Sequence, residues 1–255
     1  MTTITWYGTF SLKLRNDNDT ILFDPFIRFD KRLDKDFKNN FYNVKNIFIT
    51  HGHIDHTMDL VDLYKDKDAL IHTTFCPYNR LLSDGISKDK LVKINYNDKF
   101  KVGKIDIKVI KGKHIKFDYK LVLDTIFNKN VIKYHSNLPI IIKNHLKCHE
   151  NGETVCYFVK ADNKKLLFMG SMALDKNTIY PKNVDYLILA YQGRSDLDKK
   201  IVPIIDKIKP KSIILSHFDN SFPPVSKDVD ISKLKNVIDK KIKLIIPKYE
   251  EEIKL

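Results

Sequence analysis

The sequence predicts an α/β protein of two β-sheets packed face to face with helices on the outside. Three observations carry this reading. The first third is rich in short strand-like runs, and the last third alternates strand and helix. Within the first third an apolar, β-branched run, Val44–Thr50, has the composition of a buried strand and leads straight into His51-Gly52-His53-Ile54-Asp55-His56.

Taken in order, Thr3–Tyr7, Phe10–Arg15 and Thr20–Phe23 read as strands, separated by turns at Gly8-Thr9 and Asn16–Asp19. Pro25 ends the third strand because it has no N–H to give a ladder. Arg28–Asn40 reads as a polar loop or short helix. After the histidine cluster, Asp59–Tyr64 and Phe75–Leu82 read as helices, with a short strand at Ala69–His72 between them. Leu91–Ile110 reads as three strands broken at Asn97-Asp98 and Gly103. Residues 116–150 are less regular and are expected to be an insertion within one domain spanning 1–255. Strands resume at Thr154–Lys160 and Lys164–Met169. Strand Tyr186–Ala190, helix Leu197–Ile208, strand Ser212–Leu215, helix Ser232–Asp239 and strand Lys243–Ile246 complete the chain.

Composition sets the class. Of 255 residues, 43% are hydrophobic and 30% charged, enough apolar material for a packed core. No apolar run approaches the roughly 20 residues of a membrane helix, and the start lacks the pattern of a signal peptide; a cytoplasmic protein is expected. The three cysteines, Cys76, Cys148 and Cys156, have no C-x-x-C spacing, so each is expected as a small buried residue rather than a disulfide partner or zinc ligand. The net charge of +13 raises the question of nucleic acid. The excess is almost all lysine spread along the chain, whereas base reading and phosphate clamping favour arginine, so a solvated lysine surface is the preferred reading.

The chemistry concentrates in the cluster. In extended chain, side chains at i and i+2 project the same way, so His51 and His53 can grip one ion. Asp55 and His56 follow as the chain turns into the next helix, where they can face a neighbouring ion. Imidazole and carboxylate together suit one or two divalent ions, zinc first, with manganese or iron as competitors. Further ligands must come from strand ends elsewhere. His114 follows the strand Ile105–Ile110, and His217 closes Ser212–Leu215 in Leu215-Ser216-His217-Phe218-Asp219. For each, a structural histidine bonded to a backbone carbonyl is the competing reading. His72 reads as core or edge, and His135, His145 and His149 as surface or substrate-contacting residues.

These residues resemble the metallo-β-lactamase superfamily. His51 to His56 match H-x-H-x-D-H in full, and Asp24 in Phe23-Asp24-Pro25-Phe26 resembles the early aspartate that braces the metal loop. His114 resembles the middle histidine and His217 the closing one. His217-Phe218-Asp219-Asn220 is similar to a subgroup of metal-dependent hydrolases that includes the ascorbate-6-phosphate lactonases. The resemblance implies a four-layer αββα sandwich. It also implies a first ion on His51, His53 and His114, and a second among Asp55, His56 and His217. Ser171 stands where the family has the aspartate that bridges two ions, which removes one negative charge; Asp175 and Asp219 are outside candidates to replace it. The implied enzyme is a metal-dependent hydrolase in which an activated water, oriented by Asp55 as the catalytic carboxylate, attacks a small ester or lactone, anionic character being compatible with the basic chain. The alternatives are a phosphodiesterase acting on nucleic acid or a phospholipid headgroup, with Arg80 and Arg194 as its candidate arginines, and a metal-binding module without turnover. The segment 116–150, with Phe117, Tyr119, Phe127 and Tyr134, is expected to set specificity.

Overall fold

The computed structural model describes residues 1–27, 29, 38–126, 129–148 and 151–255. In the first half, strands β1 (Thr2–Trp6), β2 (Leu12–Asn16), β3 (Asp19–Phe23), β4 (Asn46–Phe48), β5 (Leu70–Thr73) and β6 (Leu91–Lys93) lie side by side in chain order. β1 to β3 pair antiparallel, and β3 to β6 pair parallel. Parallel neighbours require crossovers, and helices α1 (Asn39–Tyr42), α2 (Ile54–Thr57), α3 (Leu60–Tyr64) and α4 (Phe75–Ser83) lie in them.

The second half repeats the plan. β7 (Lys99–Val102), β8 (Ile105–Lys111), β9 (Val155–Ala161) and β10 (Lys164–Met169) pair antiparallel. β11 (Tyr186–Ala190), β12 (Ser212–Ser216) and β13 (Lys243–Ile245) continue from β10 in parallel. Helices α5 (Tyr119–Ile126), α6 (Lys129–Lys133) and α7 (Leu138–Lys147) lie between β8 and β9; α8 (Leu197–Ile208) and α9 (Ser232–Val237) lie between the parallel strands. The last strand, β14 (Glu252–Lys254), returns to the first sheet and pairs with β1.

Period-2 patterning explains the layers. Along β11, Ile188 faces the core between the sheets, whereas Leu187 and Leu189 face the opposite side and pack with Ile201, Ile204 and Ile208 of α8. The inter-sheet core joins Ile4, Leu12, Phe23 and Phe48 of one sheet to Ile107, Tyr157, Phe168 and Ile214 of the other. On the outer face of the first sheet, Leu22, Ile47 and Ile71 pack with Leu60, Leu63 and Leu81 of α3 and α4. Helix, sheet, sheet, helix is the four-layer order expected from the sequence.

Four details differ from the sequence reading. The second strand begins at Leu12 rather than Phe10, because Gly8 and Thr9 take positive φ and a tight turn closes with Tyr7 N–H donating to Ser11 O. The segment after β8 is helical rather than irregular. β14 was not legible, since Glu252–Lys254 is too short and charged to carry a strand signal. Cys76 and Cys148 are disulfide-bonded with Cα atoms 6.1 Å apart, contrary to expectation; α4 and α7 bring them together across 72 residues of sequence, which spacing alone does not reveal. Cys156 is free and buried, as expected. Residues 28 and 30–37, Phe127 and His149 lie outside the described residues. Among the described residues, no helix is long and apolar enough to cross a membrane.

Candidate metal centre

The histidine cluster forms because β4 ends at Phe48 and the next residues are pinned from several sides. Ile49 N–H donates to His72 O at 2.9 Å, Tyr157 Oη to Ile49 O at 2.5 Å, and Val155 N–H to Thr50 O at 2.8 Å. Asp24, fully buried after β3, accepts from Thr50 N–H (2.7 Å) and Thr50 Oγ1 (2.5 Å) and pairs with His56 Nδ1 (2.7 Å). Thr50 Oγ1 also lies 3.0 Å from His51 Nδ1. One carboxylate therefore orients the imidazoles of His51, through Thr50, and of His56, which leaves the far ring nitrogen of each free to face a common space.

Beyond His53 the chain turns into α2. Thr57 Oγ1 donates to His53 O at 2.9 Å, so the turn closes on the residue that caps it. This aims Asp55 and His56 toward His217, while the rings of His51 and His56 stay 4.0 Å apart. Two groups result: His51, His53 and His114, and Asp55, His56 and His217, each with one ligand atom per residue within 4.8 Å of the others. The expected histidines and Asp55 are thus brought together in the pairing the sequence suggested.

His114 and His217 arrive from the second sheet. Ile115 N–H donates to Ser171 Oγ at 3.0 Å, and Lys113 bridges to Ala173, so the turn after β10 holds the turn that carries His114. His217 adopts a left-handed backbone at φ 56°, and its N–H donates to Thr9 O at 2.7 Å. Asp219 accepts from Thr9 N–H at 3.0 Å and from Ser221 Oγ. Ser171 and Asp219 therefore brace the loops that carry His114 and His217. Asp175 is drawn off by Asn177 N–H, Thr178 Oγ1 and Lys111, and does not line the cavity.

The donor chemistry fits a divalent ion. His51 Nε2 and His53 Nδ1 lie 3.2 Å apart. Burial pushes the His51 imidazole well below its ordinary range, with neighbouring histidines adding to the effect. Burial likewise takes His53 down to about 3, against the opposing charge of Asp55. Two neutral imidazoles with converging lone pairs are what a cation requires. In the second group, His217 Nε2 is 2.8 Å and His56 Nε2 3.5 Å from Asp55 Oδ2. Burial pushes the Asp55 carboxyl up, but His56 and His217 outweigh it, and the net shift is far down. Burial opposes the charged form of His56, yet Asp55 and Asp24 together raise it.

The cluster lies in the wall of a cavity of about 580 Å³. Phe117, Leu121, Ile141, Leu197 and Phe222 give it apolar walls, and Lys120, Arg194, Lys227 and Lys233 give it cations. Sequence reading missed most of these walls, which come from several separate loops and helices and share no local signal. It also missed Thr50, whose place immediately before the cluster was the available clue. Arg80, expected near the site, is buried and donates to Thr57 Oγ1 behind it rather than lining the cavity. His72 is a core residue stacked on Phe48.

Two sandwiched mixed sheets with histidines and an aspartate gathered at their strand ends define a metallo-β-lactamase-type protein. Residues 3–217 match the family described as "Beta-lactamase superfamily domain", and the chain belongs to it. It is 23% identical over 228 residues to a protein of Oenococcus oeni named "UPF0173 metal-dependent hydrolase", covering 88% of this chain and 89% of that one. A protein of the same name from Lysinibacillus sphaericus is 37% identical over 68 residues, which is 27% of this chain and only 29% of the relative. Among solved structures, a metallo hydrolase from the archaeon Ignicoccus hospitalis superposes with a TM-score of 0.64 at 14% identity, over 99% of this chain and 97% of that one; at such identity the likeness is of fold.

Proposed function

We propose that the protein is a metal-dependent hydrolase of a small ester or lactone, and the observation that carries this is the double ligand group facing one cavity. His51, His53 and His114 would hold one ion, and Asp55, His56 and His217 a second. Zinc suits the imidazole-rich donor set best, with manganese or iron as competitors. Bound there, such an ion polarises a substrate oxygen and brings the pKa of a water to about 7.

The chain's own residues supply the rest. Asp55 remains anionic against burial because His56 and His217 flank it, so it can accept a hydrogen bond from the attacking water and orient it. The apolar walls at Phe117, Leu121 and Phe222 seat the body of the substrate and exclude bulk water. Leaving out Asp55, the described cavity lining carries four cationic side chains, Lys120, Arg194, Lys227 and Lys233, against three carboxylates, Asp198, Asp228 and Asp230. That near-balance suits a neutral or singly anionic ester or lactone better than a polyanionic nucleic acid.

The test is hydrolysis of a panel of p-nitrophenyl esters, lactones and bis(p-nitrophenyl) phosphate by protein of measured zinc content. Turnover of esters or lactones is expected, and both His53→Ala and Asp55→Ala should reduce it at least about a thousandfold with unchanged circular dichroism. Activity in both variants unchanged from the unsubstituted protein would remove the proposal, and hydrolysis of the phosphodiester alone would replace it with the phosphodiesterase reading.

A further inference from the structure

Helix α7 is a wall of the cavity that holds itself in place poorly. Its residue Ile141 packs with Ile54 and Met58 beside the metal loop, and with Phe26 and Phe222. Ile141 and His145 both line the cavity. Yet Ile141 is the one buried residue of this ten-residue helix, while Ile142 and Leu146 are 58% and 79% exposed. A helix this short, burying so little apolar surface, is marginal without other anchors.

At its N-terminal end Asn137 donates to Pro223 O (3.0 Å), and the remaining anchors sit toward its C-terminal end. Cys148, which caps α7, is bonded to Cys76 near the start of α4. Arg80 of α4 donates through one Nη to Asn144 Oδ1 of α7 (2.6 Å), and through the other to Thr57 Oγ1 of the metal-loop helix (2.9 Å). Its Nε donates to Asp84 (3.3 Å), which also receives Lys147 Nζ of α7 (2.5 Å). The Lys147–Asp84 pair reaches solvent and contributes little on its own. The covalent link is the strong member of the set, and its neighbour Arg80 connects it physically to the metal loop.

We propose that the Cys76–Cys148 pair is a redox latch that fixes α7 over the metal centre and so sets which substrates the cavity admits. The statement about substrates rests on the hydrolase reading; the latch itself does not. Cys76 is partly exposed and Cys148 is buried, so an incoming thiolate meets the Cys76 sulfur. A low-molecular-weight thiol attacks there, the S–S bond breaks, and Cys148 leaves as a thiolate that takes up the proton released by that thiol. A second thiol displaces the first as its disulfide and returns a proton to Cys76, leaving two protein thiols. Oxidised small disulfide drives the same steps in reverse.

The experiment uses the full-length protein equilibrated in glutathione buffers from fully oxidised to fully reduced, with metal content measured throughout. Alkylation after denaturation is expected to label Cys156 alone in the oxidised form and all three cysteines in the reduced form. Amides of residues 138–147 should exchange at least about tenfold faster after reduction, with those of β4 and β9 unchanged. Cys76→Ser/Cys148→Ser should match the reduced form under oxidising buffer. The ratio of KM for a bulky to a small ester should change at least about fivefold between forms. Three labelled cysteines in oxidised glutathione, or exchange of 138–147 indifferent to reduction, overturns the latch. An unchanged KM ratio overturns its link to substrate choice. Altered exchange in a protein that turns over no ester supports the latch while the hydrolase reading fails.

Discussion

Asp24 holds the metal loop through three contacts at once, to Thr50 N–H, Thr50 Oγ1 and His56 Nδ1. Replacing it by Ala strands buried donors in the protein interior. Asp24→Ala should therefore cost about 3 kcal/mol in urea unfolding and weaken metal binding by about 10- to 100-fold in a competition titration. Asp24→Asn keeps one acceptor and should lose less of both. Sequence alone showed this aspartate only by likeness to a motif. The hydroxyl relay through Thr50 became visible once β3 and β4 were paired, because the two residues are 26 positions apart. Ser171 is the counterpart on the other sheet. The missing negative charge was legible in the sequence, but its hydrogen bond to Ile115 N–H was not.

At the scale of elements, α8 shows how far periodicity reaches. Leu197, Ile201, Ile204 and Ile208 recur at helical spacing and are all buried against the second sheet. Ile204→Ala should cost about 2–5 kcal/mol, whereas Val202→Ala, at a residue 37% exposed, should cost about 0.5 kcal/mol or less. Chemical denaturation of the two variants checks the contrast; equal losses would mean α8 packs otherwise. Long elements with such a pattern stood out in the sequence. The helices α5 to α7 did not, because they expose apolar residues such as Tyr119, Ile132 and Leu146 and so lack a clean polar face.

For the whole molecule, acid stability reports on the first sheet's core. His72 sits between Phe48 and Phe100 with Nδ1 buried and without a partner among the described residues, and burial pushes its imidazole down to about 4. The folded-state pKa is depressed below the ordinary value of about 6.5, so the unfolded chain takes up this proton first. Stability is full above about pH 6.5 and falls toward pH 4, by on the order of 3 kcal/mol from this residue. His72→Phe should flatten that part of the profile in urea unfolding at stepped pH; an unchanged slope would assign the acid sensitivity elsewhere.

The sequence by itself determined the two-sheet α/β plan and six of the side chains gathered at the candidate metal centre, since periodicity and a compact motif are local properties that survive without coordinates. Tertiary structure decided the cavity walls, the Cys76–Cys148 bond and the bracing roles of Thr50, Ser171 and Asp219. These depend on contacts between segments far apart in the chain, and only packing of the two sheets fixes which segments meet.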